Sequence, residues 1–308
     1  MTLTHLHLLL NHVPTIGMGL GLGLFLVALF QKSAELQRAA LVVFVAIGML
    51  TIPTYITGNA AQIHLGADSG VSKNLIETHE GAALEAFGFM MLTGGAAWFA
   101  LWKFRRNRSF SRAGLAVVLL LSLVTMAMVA RAANIGGEIR HSEIREASEP
   151  TIPEGHVARA VGLFVTTQRW VWPTAETLHF IGLSVLMGVV LIVNLRVLGA
   201  LRGIPFSVLH RLLPWGMLSF AVNTLTGMAF FVAAPEQYAQ NAAFHWKLIF
   251  MMLAGANAVY FTIFDQPWEI EERDEAPFAA KALAAMAILC WVGVTYCGRM
   301  LPFLGEAF

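Results

Sequence analysis

A chain of 308 residues that is 57% hydrophobic and 13% charged carries about half the charge of a soluble domain, so most of its surface is built for lipid. A net charge of +1 excludes the basic footprint that nucleic-acid binding requires. Cys290 and Cys297, seven residues apart in one apolar segment, exclude CxxC redox chemistry and CxxCH haem attachment, and about two helical turns between them argue against a disulfide.

The opening residues, Met1-Thr-Leu-Thr-His5, lack a basic n-region, so targeting is expected from the first apolar helix rather than a cleaved signal. A hydrocarbon core takes about 20 apolar residues of helix. Runs of that kind lie near 10–30, 40–62, 81–102, 114–133, 177–198, 210–233, 246–264 and 279–298. They predict an all-α polytopic membrane protein of about eight transmembrane helices in two tandem four-helix bundles, 1–133 and 177–308, joined by an outer loop, 134–176. Within that loop, 154–172 is either a helix along the membrane surface, with Trp170 and Trp172 at headgroup level, or an ordinary structured loop.

Lysine and arginine sort the connections. Those after helices 1, 3, 5 and 7 hold Lys32, Arg38, Lys103, Arg105, Arg106, Arg108, Arg112, Arg196, Arg202, Arg211, Arg273 and Lys281, and the short ones opposite hold little beyond Lys73 and Lys247. The first set is expected in the cytoplasm. Both termini then face the periplasm of a bacterial inner membrane. The acidic loop 265–276 runs against this trend, but acidic residues weigh little in the rule.

Four histidines, His12, His79, His179 and His245, stand near the starts of helices 1, 3, 5 and 7, with 67 residues between the first two and 66 between the last two. Each pair brackets one helix that carries Thr-Gly, Thr57-Gly58 and Thr226-Gly227. This points to a parallel internal repeat. Of the ten histidines, all but His210 fall on the outer side.

Neutral imidazole is a good ligand for iron, copper or zinc. Two imidazoles at similar depth on facing helices hold a haem iron, with glycine wherever the flat ring nears backbone. His12 with His79, and His179 with His245, are the expected ligands, and His64 and His141 are possible substitutes. His5, His7 and His156 read as interfacial. The glycines, including Gly17, Gly19, Gly21, Gly23 and Gly182, equally suit plain small-residue packing. Glu85, with Glu77 and Glu80, and Glu176 beside His179 are candidate partners for an imidazole or proton carriers. Asn59, Gln62, Asn223 and Asn257 are expected to bond between helices.

His5-Leu-His-Leu-Leu-Leu-Asn-His12-Val-Pro-Thr-Ile-Gly17, with Pro53-Thr-Tyr-Ile-Thr57-Gly58 and Glu77-Thr-His79-Glu80, resembles a family of uncharacterised bacterial membrane proteins. The second half, from Leu178-His-Phe-Ile-Gly182 through Leu195-Arg-Val-Leu-Gly199 and Leu225-Thr-Gly227 to Phe244-His-Trp-Lys247, resembles another. The resemblances imply a bacterial inner-membrane location and no particular activity. Each half is also similar in layout to the four-helix modules of b-type cytochromes.

Three functions follow as expectations. The first is a membrane electron carrier with one or two b-type haems, a subunit of a respiratory or redox complex. It would pass electrons between quinol, with quinone as a second cofactor, and a periplasmic cytochrome or other redox subunit. Since His210 alone makes no second ligand layer, electrons would run along the outer face. The second is copper or zinc handling, with Met90, Met91, Met126, Met128, Met251 and Met252 along a path. The third is a membrane anchor or assembly subunit that docks a periplasmic enzyme through 134–176. No hydrolase, zincin, Walker or dinucleotide motif is present, so enzymatic activity would come only as part of an oxidoreductase.

Overall fold

The computed structural model describes residues 2–64, 73–107, 109–140, 156–263 and 275–304. The helices are α1 (Leu3–Leu10), α2 (His12–Phe30), α3 (Ala34–His64), α4 (Lys73–Asn107), α5 (Arg112–Arg140), α6 (His156–Thr167), α7 (Val171–Val197), α8 (Phe206–His210), α9 (Leu213–Ala233), α10 (Pro235–Ala239), α11 (Ala242–Ile263) and α12 (Phe278–Met300), with a 3-10 turn at Leu301–Phe303. No strand occurs among the described residues. Among the described residues eight stretches are long and apolar enough to cross a membrane: Leu3–Phe30, Ala34–Gln62, Lys73–Arg105, Arg112–Ile139, Val171–Val197, Val208–Ala233, Ala242–Ile263 and Phe278–Phe303. The fold is therefore the expected all-α polytopic membrane class.

Most of these helices start earlier than the apolar runs. A backbone leaving the hydrocarbon must keep its hydrogen bonds, so the helix continues into polar flanks that hydropathy does not register. The consequence is largest at the N-terminus, where the span begins at Leu3 and carries His5 and His7. The stretch 134–176 is partly helical: α5 runs on to Arg140, α6 occupies His156–Thr167, and α7 starts at Val171.

The chain forms two compact units, one of residues 1–167 with 232–239, the other of 168–231 with 240–308. In the first, α2 packs on α3, α3 on α4, α4 on α5, and α5 closes against α2, with α1 lying on α3. The first and third spans are therefore diagonal. With little hydrophobic drive between helices in lipid, close approach depends on small residues. Gly48 and Gly94 make the α3–α4 crossing, where a Cβ on Gly48 would lie 3.5 Å from the Gly94 Cα. Gly21 lets Phe44 lie against α2, and Phe44 meets Phe25 edge-on at 5.6 Å. Thr93 and Thr125 share a buried hydroxyl bond of 2.7 Å between α4 and α5. Gly48→Leu should wedge the crossing apart at a cost of about 1–3 kcal/mol. Thermal unfolding in detergent would show this as a lowered midpoint, with Gly48→Ala nearly silent.

In the second unit α12 packs against α11 and α7. One core gathers Val193, Val197, Phe206, Leu209, Phe261 and Ala284, and another Leu186, Ala254, Cys290, Trp291 and Val294. Both cysteines are free and buried. Arg196, expected in a loop, is instead buried at the end of α7, donating through Nε to the Ile204 carbonyl at 2.8 Å with its guanidinium over Phe206. Exposed Glu275, between the last two spans, accepts from Lys281 and Arg202, each at 2.8 Å. The bond from Lys281, then the charges of Lys281 and Arg202, hold its carboxyl below the usual glutamate value. The stabilisation is thus present above that usual value and disappears as pH falls through the depressed one. Glu275→Gln should leave stability at neutral pH almost unchanged, because solvent screens such pairs; a chemical melt at pH 7 and pH 3 checks both statements.

Candidate functional site

The first unit brings two imidazoles into the same relation with a neighbouring helix. His7 on α1 donates from Nδ1 to the Thr54 carbonyl of α3 at 3.1 Å, with the Thr57 hydroxyl at 3.4 Å. His79 on α4 donates from Nδ1 to the Ala132 carbonyl of α5 at 3.0 Å. A carbonyl only accepts, so in each ring Nδ1 carries the proton and Nε2 keeps a bare lone pair.

A main-chain carbonyl inside a helix is ordinarily shielded, because side chains lean toward the N-terminus and cover the preceding turn. At both contacts the residue four positions after the accepting carbonyl is glycine, Gly58 after Thr54 and Gly136 after Ala132. A Cβ on Gly58 would lie 2.8 Å from Cε1 of His7, and one on Gly136 would lie 2.8 Å from Cε1 of His79. Any side chain there would displace the ring. His7 comes from the start of the first span, Gly58 from the end of the second, His79 from the start of the third and Gly136 from the end of the fourth. All four therefore share one end of the unit, and the rings come from diagonal spans. His79 lies within the electrostatic reach of His7.

Carboxylates surround this end. Glu80 accepts from Asn59 at 3.0 Å and Gln62 at 3.5 Å, tying α4 to α3. Glu85 pairs with Arg131 of α5 at 2.8 Å. Glu77 faces Lys73 on its own helix at 3.9 Å. None of these bonds goes to an imidazole; the partners of His7 and His79 are carbonyls.

The second unit has a related contact. His179 on α7 shares a hydrogen bond of 2.8 Å from Nδ1 with the Thr226 hydroxyl of α9, a group that can donate or accept, and that hydroxyl lies 2.8 Å from the Val222 carbonyl. A Cβ on Gly227 would lie 3.7 Å from Cε1 of His179. The bonds of His7 and of His179 each span 47 residues of chain. Glu176 is exposed, and the partner of His179 is Thr226.

The other sequence candidates sit elsewhere. His12 is exposed and turned onto its neighbour Asn11. His245 is partly buried in the first turn of α11. His64 ends α3, and His141 lies outside the described residues. His5 is bonded to Thr2 at 2.7 Å. Gly19 and Gly23 face open space, and Gly17 packs against Ile47, so none of these cradles a ring. Asn257 does bond between helices, to the Leu283 carbonyl at 2.9 Å, but Asn223 bonds Ser219 of its own helix at 2.9 Å and its amide fills the space over Gly182. Among the described residues no group of three or more His, Cys, Asp or Glu is placed to hold a metal ion.

His7 was the residue that spacing alone passed over. The signal was present: the Thr-Gly pairs that mark the repeat are the same residues that receive His7 and His179.

Residues 158–304 match the model of a family of unknown function (DUF6644). That interval includes His179, Thr226, Gly227 and His245, and stops short of everything in the site around His7 and His79. No curated protein and no solved structure gives a match.

Proposed function

We propose that the protein is a membrane electron-transfer protein that holds a b-type haem between His7 and His79, near the periplasmic face of a bacterial inner membrane, as a subunit of a respiratory or redox complex. It takes electrons from quinol and hands them to a periplasmic cytochrome or another redox subunit, with both termini on the periplasmic side. The observation that carries this reading is the pair of imidazoles on diagonal spans, each with Nδ1 bound to a carbonyl, each resting on a glycine, and each with Nε2 bare. Histidines that ligate metals almost always donate their other ring nitrogen to such an acceptor, which sets tautomer and orientation.

The residues present fit a flat, two-coordinated group better than a bare ion. Zinc sites take three or four protein ligands, and the arrangement around His7 and His79 offers two. When bound, haem supplies a one-electron iron couple whose potential follows its axial ligands and surroundings. The Thr54 and Ala132 carbonyls hold the two rings in the ligating tautomer. Gly58 and Gly136 leave the rings room. The Glu85–Arg131 pair presents no net charge to the unit.

The deciding experiment is the visible spectrum of detergent-purified protein after haem-replete expression, air-oxidised and then dithionite-reduced. A strong Soret band with sharp reduced α and β bands is the expected result. A featureless spectrum from folded protein would overturn the reading.

A further inference from the structure

α6 is apolar yet too short to cross a membrane. Its 12 residues, His156–Thr167, reach about 18 Å at 1.5 Å per residue, against a hydrocarbon core of about 30 Å. A helix of that length is marginal on its own, so its surroundings decide where it lies.

Three stripes run along it. Ala158, Gly162 and Val165 form the packed face. Ala158 is 4% and Val165 3% exposed, and a Cβ on Gly162 would lie 3.0 Å from the Val232 carbonyl oxygen. The same helix packs on α4. Val157, Val161 and Phe164 stand one position before each of those residues. They are 38, 37 and 50% exposed, and at about 100° per residue their stripe lies roughly a quarter turn from the packed one. Arg159 and Thr166, both exposed, lie on the side opposite Val157, Val161 and Phe164. Exposed Ala160 and Leu163 look away from the packed face.

A helix on a water-facing surface buries one apolar stripe and keeps the rest polar. α6 carries a second apolar stripe, and its cation is on the far side of it. A helix lying flat beside a bundle, at the face of a membrane, meets protein sideways, hydrocarbon below and water above. Its packed and lipid-facing stripes must then stand a quarter turn apart, with the polar stripe opposite the lipid-facing one, which is the order found. The depth agrees. Val232 is the residue before the end of the sixth span, Val208–Ala233, so its contact with Gly162 holds α6 at the level where a span leaves the membrane.

We infer that α6 lies in the plane of the membrane and docks on the lipid itself, with Val157, Val161 and Phe164 in the acyl boundary of the leaflet and Arg159 among the phosphates. Amphipathic helices of this kind sink their apolar face about 5–10 Å into that boundary. The Arg159 guanidinium matches phosphate in charge and in donor geometry. This placement rests on the eight spans and not on the haem reading.

The test uses the full chain in phosphatidylcholine nanodiscs, with a nitroxide label on Val161→Cys or on Thr166→Cys. Wild type, whose Cys290 and Cys297 are buried, gives the background. Collisions with oxygen, which concentrates in hydrocarbon, and with a water-soluble nickel chelate read the depth of each label. Oxygen should dominate at 161 and nickel at 166. Val157→Cys, on the same stripe as Val161, should repeat the result at 161 and guards against a local effect of one substitution. Nickel dominant at both 161 and 166 overturns the inference, since α6 is then an ordinary surface helix. A 161 label shielded from both reagents overturns it as well, since a second copy or another protein then covers the stripe. Arg159→Glu should shift the balance at 161 toward nickel, and further in phosphatidylglycerol nanodiscs than in phosphatidylcholine, because carboxylate and phosphate repel. An unchanged balance overturns the placement of Arg159 among the phosphates.

Discussion

His7→Ala and His79→Ala are each expected to abolish the low-spin haem spectrum of the purified protein, while His12→Ala and His245→Ala keep it. In the haem reading, each Nε2 lone pair would supply one of the two protein ligands. Altering only the outer partner of a ligating histidine already costs about 10–100-fold in metal affinity, so deleting the ligand should cost more. Haem content per protein after gel filtration, with the reduced α band, reads the result. Gly136→Leu is the informative companion, since its Cβ would stand 2.8 Å from the His79 ring and force the ring aside with the ligand still present. It should reduce or broaden the spectrum without unfolding the protein. Should His12→Ala remove the haem and His7→Ala spare it, the assignment by geometry fails.

Arg131→Ala is expected to destabilise the first unit by up to about 2.5–3.5 kcal/mol, the insertion penalty for an unpaired charge at mid-membrane. The remaining Glu85 carboxylate would face lipid or neighbouring helices alone. Both side chains of the pair are 36% exposed, which places the effect below that ceiling. The double variant should recover most of the Arg131→Ala loss, because what costs free energy is the unmatched carboxylate rather than the absent bond. A double-mutant cycle from denaturant unfolding in detergent measures the coupling. Single variants within about 0.5 kcal/mol of wild type would mean that water reaches both groups.

The eight spans were legible because hydropathy is a sum over some twenty residues and survives errors at individual positions. The Thr-Gly repeat was legible because it is a pattern in sequence order. The ligand-like histidines were legible only as a set. His79 and His179 follow from position near a helix start, but the choice between His7 and His12 turns on where the first helix begins and how it is rotated. Hydropathy puts that start near residue 10, and the structure puts it at Leu3. On the helix that results, His7 faces α3, whereas His12, five residues on, is exposed. Lys247 shows the same limit. In the sequence it is one of two cations noted in the short outer loops; in the fold its Nζ lies 3.7 Å from where a Gly298 Cβ would stand.

Composition and hydropathy thus determine on their own the all-α polytopic membrane class and show the doubled histidine pattern, because lipid acts on every residue of a span at once. Which imidazole meets which carbonyl, and which glycine uncovers it, depends on the rotation and register of helices whose contacts close loops of 47 and 53 residues. No local pattern encodes that, since one residue of shift turns a side chain through about a hundred degrees, and only the packed bundle selects among the alternatives.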